Sequence, residues 1–313
     1  MRVGIVVPAY DVAPWIGACV ASVIAQSHTD WAMVVVDDGS TDGTVACIPA
    51  DPRVRVIAQA NAGVSAARNA GMAALGRTCD ALLFLDADDW LAPDALARMV
   101  TALARAPEAA AAYGAYCFVP EDGGAPVASR AGPFPSGDIL DRLVVRNLFA
   151  NGGHLLIRRE AAERVGWFTP GIAFGEDWHY WIRLAAMARF AVVPGAAPLL
   201  FVRQRNSGAY LRMASRSASF RPVLDAVFST PSVRARLGAR LPKLRRAAEA
   251  EAEWIVGREL IRHGRVAEGR ARLRRAVAAR PSLRRAALLT AAHAPAIAPA
   301  RLRAPFRRYA PSP

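Results

Sequence analysis

Lysine is almost missing from this chain of 313 residues: Lys243 is the only one, so nearly every positive charge is an arginine. An arginine- and alanine-rich bias of this kind partly reflects codon composition, so charge alone assigns no partner. Cysteine is also scarce. Cys19, Cys47, Cys79 and Cys117 lie 28, 32 and 38 residues apart, with no Cys-x-x-Cys pair and no Cys/His cluster. That spacing excludes the usual zinc frameworks and reads as thiols buried in a reducing compartment. No uninterrupted apolar stretch of about 18 residues exists, the length a membrane-spanning helix needs. The best candidates, 185–202 and 286–300, are broken by Arg189, Pro194 and Gly195, and by His293, Pro295 and Pro299. The first ten residues meet Pro8 too soon for a secretory h-region. A soluble, cytoplasmic protein is expected.

What is present is a chain able to bury a core, with 53% hydrophobic and 21% charged residues. Disorder and collagen-like structure are excluded, and the length suits about two domains. The net charge of +14 is unevenly spread. Residues 1–214 hold 18 basic and 20 acidic side chains, whereas residues 215–313 hold 22 basic and 6 acidic, a net of +16. The basicity belongs to the tail.

The first half alternates short β-branched runs with helical patterns, the mark of an α/β fold with a largely parallel sheet. Strands are expected at 3–7, 33–36, 54–58 and 81–85, and helices at 15–26 and 64–75. A short helix at 43–48 would be capped by Ser40 or Thr41. Residues 105–150 read as a long loop, punctuated by Gly123, Gly124, Pro126, Pro133 and Pro135. Helical signals return at 176–189 and after Ser215. Segments 242–263 and 266–279 read as a helical pair turning at Gly264, while the Ala/Pro/Arg-rich stretch from Pro281 reads as only partly ordered.

Four clusters carry chemistry. Asp37-Asp38-Gly39-Ser40-Thr41-Asp42-Gly43 follows the second strand, as a capping turn or with Asp38 against a base or ribose. Asp86-Ala87-Asp88-Asp89 follows the fourth. Three carboxylates in four residues repel unless solvent or a hard cation such as Mg²⁺ or Mn²⁺ separates them. Acidic ends of two buried parallel strands matter because ligands of open α/β sheets bind there. Asn61 and Gly63 suit a turn into a helix whose first turns carry Arg68, a residue suited to a diphosphate. Glu176 and Asp177 open a helix, where the dipole favours carboxylates. One of them is a candidate general base beside an aromatic wall of Trp178 and Trp181. His154 and His179 read as packing or surface residues.

In order along the chain, Val6-Val7-Pro8-Ala9-Tyr10-Asp11, Val36 to Thr44, Asn61 to Asn69, Asp86-Ala87-Asp88-Asp89 and Gly175-Glu176-Asp177-Trp178 resemble the family 2 glycosyltransferases over about residues 1–210. The resemblance implies the GT-A fold, with a Rossmann-type, mostly parallel central sheet flanked by helices. It implies a transferase domain over 1–214, nucleotide-sugar-binding in 1–100 and acceptor-binding in 101–214. A helical, basic extension follows over 215–313. It implies that Pro8, Tyr10, Asp11 and Asp38 line the base pocket, with Arg68 helping at the nucleotide and Asp86 facing the ribose. Asp88 would hold Mg²⁺ or Mn²⁺ on the diphosphate, Asp177 would deprotonate the acceptor hydroxyl, and Glu176 would support it. Trp178, Trp181 and Arg203 are acceptor-side candidates. Arg203 and Ser207 match a later element of the family, but Arg205 stands where a histidine is usual, and Asp11 stands where the family has Asn.

The activity so implied moves a sugar from a nucleotide-diphosphate donor, UDP-linked, to a hydroxyl of a saccharide or lipid-linked acceptor, in polysaccharide or cell-envelope synthesis. A single carboxylate base and in-line displacement imply inversion. The +16 extension suggests attraction to an anionic bilayer, on the inner face of the cell membrane. Two rivals differ in kind. A sugar-nucleotide-forming nucleotidyltransferase calls for a Gly-rich, Arg/Lys-bearing loop that residues 7–15 lack. A nucleic-acid-binding protein calls for aromatics interleaved with the basic tail, which offers only Phe220, Phe228, Trp254, Phe306 and Tyr309. No specific nucleic-acid partner is expected.

Overall fold

The computed structural model describes residues 1–205, 220–262 and 264–291. Strands β1 (Val3–Ala9), β2 (Trp31–Asp37), β3 (Val54–Ala58), β4 (Ala81–Phe84), β6 (Ala109–Tyr113), β9 (Leu155–Arg158) and β10 (Arg189–Val192) form a seven-stranded sheet in the order β10-β6-β9-β4-β1-β2-β3. Only β9 runs antiparallel to its neighbours. A smaller sheet joins β5 (Trp90–Leu91), β11 (Leu200–Gln204), β7 (Tyr116–Pro120) and β8 (Ala128–Arg130). The helices are α1 (Ala13–Ile24), α2 (Val64–Leu75), α3 (Ala95–Ala104), α4 (Leu140–Leu143), α5 (Arg159–Val165), α6 (Glu176–Met187), α7 (Arg221–Ser229), α8 (Pro231–Leu237), α9 (Leu241–Arg262), α10 (Val266–Ala279) and α11 (Leu283–Ala291). This is the expected α/β architecture with a mostly parallel sheet and helices at the C-terminal end.

The continuous apolar runs of β1, β2 and β4 are explained by cover on both faces. Ile5, Val7, Val35 and Leu83 point into a core shared with Ile16 and Val20 of α1 and Leu96 and Met99 of α3. Val6, Val34, Val36 and Phe84 point the other way, against Met72 of α2 and Tyr180 and Trp181 of α6. Each fully buried Val, Leu or Phe contributes about 1.5–3 kcal/mol. Helix α2 lies unusually close to the sheet: a Cβ on Gly71 would sit 2.3 Å from Val6 Cγ1, so only glycine fits there.

Three readings of the sequence are corrected. The stretch 105–150 is not one loop, since it contains β6, β7, β8 and α4. Its alanine-rich strand, Ala109–Tyr113, has little intrinsic strand preference, yet all five residues are buried, and burial decides. The helix at 43–48 is a single 3₁₀ turn, Thr44–Cys47, and Asp42 rather than Ser40 or Thr41 accepts the Thr44 N–H at 3.0 Å. The fourth strand ends at Phe84.

Val223, Leu224, Val227 and Phe228 of α7, and Val233 and Leu237 of α8, join the same core as Phe84 and Trp181. Arg236 and Arg240 pair with Asp138 and Asp141, so part of the tail's charge is tied to the region around α4. Helices α9 and α10 form the expected pair, with Gly264 at φ +82 in the turn. Arg272 and Arg275 of that pair share Glu253. Within the stretch from Pro281, Leu283–Ala291 is helical, and residues 292–313 lie outside the described ones. Among the described residues no helix is long and apolar enough to cross a membrane.

Candidate functional site

The chain passes from β1 to β2 on one side, then returns to place β4 on the other side of β1. That reversal is a topological switch point, where loops diverge and leave a crevice at the C-terminal strand ends. In-register pairing of Ala9 with Asp37 and of Val6 with Phe84 sends loops 10–12, 38–44 and 85–89 out of the same edge.

The first two loops are laced together. Asp11, at φ +47, accepts the Thr41 N–H at 2.8 Å, and its own N–H donates to Ser40 Oγ at 3.1 Å. Val12 and Ala13 donate to Thr44 Oγ1 and Asp42 Oδ2, which satisfies open N–H groups at the start of α1. Tyr10 stands half exposed above them. Asp38 is buried, and its carboxylate receives Gln59 Nε2 at 2.7 Å and the N–H groups of Ala62 and Gly63 at 2.9 Å each. Asp38 therefore fastens the start of α2, where Gly63 takes φ +86. Three donors occupy most of the roughly four acceptor directions of a carboxylate.

Helix α2 then delivers Arg68. Its guanidinium is almost wholly buried and forks between two carboxylates, with Glu176 Oε1 2.9 Å from one terminal nitrogen and Asp86 Oδ1 3.0 Å from the other. Phe168 lies 5.3 Å beneath it. The acidic loop after β4 and the acidic start of α6 thus meet at one arginine. Arg68 was expected at a diphosphate; here it is the clamp between Asp86 and Glu176. Asp177 follows, accepting the Trp178 N–H at 2.5 Å. Burial, with the Glu176 charge beside it, pushes its carboxyl up to about 7 against the pull of Arg68.

The remaining members of the acidic loop part company. Asp88 Oδ2 is 3.1 Å from Arg205, and burial together with the charge of Asp86 raises its carboxyl above the usual range. Asp89 is buried, held by Asn151 Nδ2 and by the Arg203 N–H at 2.8 Å. Burial pushes it well up, and the charges of Asp88 and Asp86 push it further. Asp89 is an anchor for the loop rather than a group facing a ligand. Arg203 reinforces it: its Nε donates to the Asp88 carbonyl at 3.0 Å, and its guanidinium lies 4.8 Å over Trp90. Arg203 is thereby a brace of the acidic loop.

Trp178 and Trp181 do not form an acceptor wall. Trp178 is buried and donates Nε1–H to the Leu143 carbonyl, and Trp181 is enclosed by Phe84, Phe149 and Phe168. Helix α6 buries them because it is covered by the sheet on one side and by α4, α7 and α8 on others. His154 is a packing residue, as expected, bridging the Gly114 carbonyl and the Ala150 N–H. Burial pushes it down to about 4. Ser207 lies outside the described residues. Gln59 and Asn151 were not visible as site residues, because a single amide in a loop carries no spacing signal.

Among the described residues no group of three or more His, Cys, Asp and Glu side chains is gathered as a complete metal cage. Asp86 and Asp88 do supply two hard oxygen donors two residues apart, each already facing an arginine, and the charge of Asp86 is felt at Asp88. That set fits Mg²⁺ or Mn²⁺, which bind one or two carboxylates and take the rest of their shell from water and substrate phosphates.

Residues 4–166 match the profile of Glycosyl transferase family 2. Succinoglycan biosynthesis protein ExoO of Rhizobium meliloti is 48% identical over 100 residues, which are 30% of this chain and 28% of that protein. The chain spans less than a third of the length of the first curated relatives it matches, at 32%, 14% and 26%. The crystal structure of S. aureus TarS 1–349 in complex with UDP-GlcNAc superimposes with a TM-score of 0.58 at 18% identity, covering 93% of this chain and 87% of that one. Mannosyltransferase PcManGT of Pyrobaculum calidifontis, in complex with GDP-Man and Mn²⁺, gives 0.57 at 24% identity, covering 92% and 78%. At these identities the two structures establish a shared fold.

Proposed function

The chain belongs to glycosyl transferase family 2, and from that premise we propose that it transfers a sugar from a nucleotide-diphosphate donor to a hydroxyl of a saccharide or lipid-linked acceptor. The reading extends to a UDP-linked donor, inversion at the anomeric carbon, and a role in polysaccharide or cell-envelope glycan synthesis. The observation that carries it is the Arg68 fork, which joins the acidic loop after β4 to the carboxylates of α6 at the switch-point edge. The relatives named for glycan synthesis and the neighbours solved with UDP-GlcNAc or GDP-Man support the same direction.

In this reading the base lies against Pro8, Tyr10, Asp11 and the remaining acceptor capacity of Asp38, and the ribose faces Asp86. Asp86 and Asp88 would hold the divalent metal, which when bound supplies Lewis-acid neutralisation of the diphosphate. A sugar hydroxyl is a poor nucleophile at neutral pH. Asp177 takes its proton as the oxygen attacks the anomeric carbon, and the nucleoside diphosphate leaves with the bonding pair from the opposite side. Burial, with the Glu176 charge that Arg68 fixes beside it, keeps the Asp177 carboxyl high enough to act as a base near neutrality. The fixed alignment of base and donor lowers the entropic barrier.

The test is donor hydrolysis across nucleotide sugars with Mg²⁺ or Mn²⁺, comparing the full chain with Asp88→Ala and Asp177→Asn. Turnover confined to the unaltered chain supports the reading; equal turnover by Asp177→Asn overturns the assignment of the base. The surplus charge of residues 215–313 is proposed to hold the enzyme peripherally on an anionic bilayer at the cytoplasmic face. Flotation with phosphatidylglycerol vesicles should then weaken as salt rises, and binding indifferent to salt would refute it.

A further inference from the structure

A cation is already seated at the Asp88 carboxylate. Arg205, the residue just past β11, places a terminal nitrogen 3.1 Å from Asp88 Oδ2. Its guanidinium carbon stands 4.0 Å from the centre of the Trp15 ring, which belongs to α1. Its Nε is buried without a hydrogen-bond partner among the described residues. Arg205 and Asp88 each keep 22% of their side-chain surface exposed, so the pair can be reached from solvent.

Resting on the metal reading above, we infer that Arg205 is an internal counter-ion that makes metal binding at Asp88 depend on the nucleotide. A divalent ion approaching Asp88 alone meets a guanidinium bound to the same carboxylate, and two cations repel. A diphosphate reverses the balance: its oxygens accept charge-assisted hydrogen bonds from a guanidinium as readily as a carboxylate does. Arg205 then exchanges Asp88 for a phosphate oxygen, and Asp88 is released to the metal. Trp15 holds the guanidinium plane beside the loop in both positions. The neighbouring Arg203 cannot do this, because its Nε and one terminal nitrogen are committed to the Asp88 and Glu121 carbonyls. Binding of metal and nucleotide is thereby coupled, and the coupling is reciprocal by linkage.

The experiment is a Mn²⁺ titration of the full chain, reading free Mn²⁺ by electron paramagnetic resonance, without nucleotide and with UDP or GDP in separate series. Arg205→Gln should bind Mn²⁺ alone about tenfold more tightly than the unaltered chain, and should lose most of the enhancement that nucleotide produces. Arg205→Lys, which keeps the charge, should follow the unaltered chain. Equal Mn²⁺ affinity without nucleotide in Arg205→Gln and the unaltered chain would overturn the inference. If Asp88→Asn still abolishes Mn²⁺ binding in that case, the metal reading survives; if Asp88→Asn binds as well as the rest, both fall together.

Discussion

Arg68 and Glu176 are 108 residues apart in sequence and 2.9 Å apart in space, and the same guanidinium reaches Asp86 at 3.0 Å. Removing the arginine leaves two carboxylates facing each other with no cation between them. Arg68→Met should therefore cost about 3 kcal/mol in urea denaturation, the range for breaking a buried ion pair from one side. Arg68→Lys should recover only part of this, since an ammonium lacks the planar fork that spans both partners. A methionine variant as stable as the parent would show that the clamp contributes nothing.

Asp177 sets the second prediction. The charged groups around it are Glu176 on its own helix, Arg68 on α2 and Asp86 on the loop after β4. Its carboxyl titrates near 7 in the folded chain against an ordinary value of 3.8. As a base it must be ionised, so kcat/KM should fall below about pH 7 rather than below pH 4. The stability effect has the opposite sign. Between those two values the folded chain keeps a proton that the unfolded chain has lost, so stability declines as pH rises through that window. Asp177→Asn should flatten that decline, retain donor binding by calorimetry, and lose turnover by about 10² to 10⁴-fold. An activity profile flat from pH 5 to 8 would remove Asp177 from the role.

How much of this could be read beforehand divides along a physical line. Asp86 and Asp88 stand out as candidates because three carboxylates in four residues at the end of a buried strand repel one another. Glu176 and Asp177 stand out less, since the helix dipole alone favours acids at a helix start. The α2 boundaries, Val64–Leu75, are legible because Gly63 opens the helix and Gly76 closes it. The partners of Arg68 are not, because a lone arginine on a helix carries no record of the residue 108 positions away. Trp178 and Trp181 mislead for a related reason: aromatic spacing on a helix is the same for a sugar platform as for a core. The alanine-rich β6 is hidden because propensity favours helix there and only the surrounding sheet overrides it.

The close seat of α2 on β1 leads to a third prediction. Gly71→Ala would gain up to about 1 kcal/mol from helix preference alone. The new methyl group, however, would fall 2.3 Å from Val6 Cγ1, on a strand with both faces packed. Overpacking of this kind costs about 1–3 kcal/mol, and the relief available is to move α2 outward, which carries Arg68 with it. Loss of stability should therefore be accompanied by loss of kcat, whereas Gly76→Ala, with open space at its Cβ but φ +56, should lower stability without touching kcat.

Asn151 and Asp89 make the last test of how the acidic loop is held. Asp89 is buried between the Asn151 amide and the Arg203 N–H, and Asn151 Oδ1 in turn accepts the Gly153 N–H at 2.8 Å. Asn151→Asp replaces a donor with a second acceptor against a carboxyl already pushed well above its usual range by burial. Both groups can be accommodated only while they share a proton, so the folded state binds more protons than the unfolded one and stability falls as pH rises. The variant should lose about 1–3 kcal/mol relative to the parent in urea at pH 8, and distinctly less at pH 5.5. Donor binding should weaken in parallel at pH 8, because Asp86 and Asp88 ride on the loop that Asp89 anchors. A deficit equal at the two pH values would show that no proton is shared between the two carboxyls, and would overturn this account of how the loop is fixed.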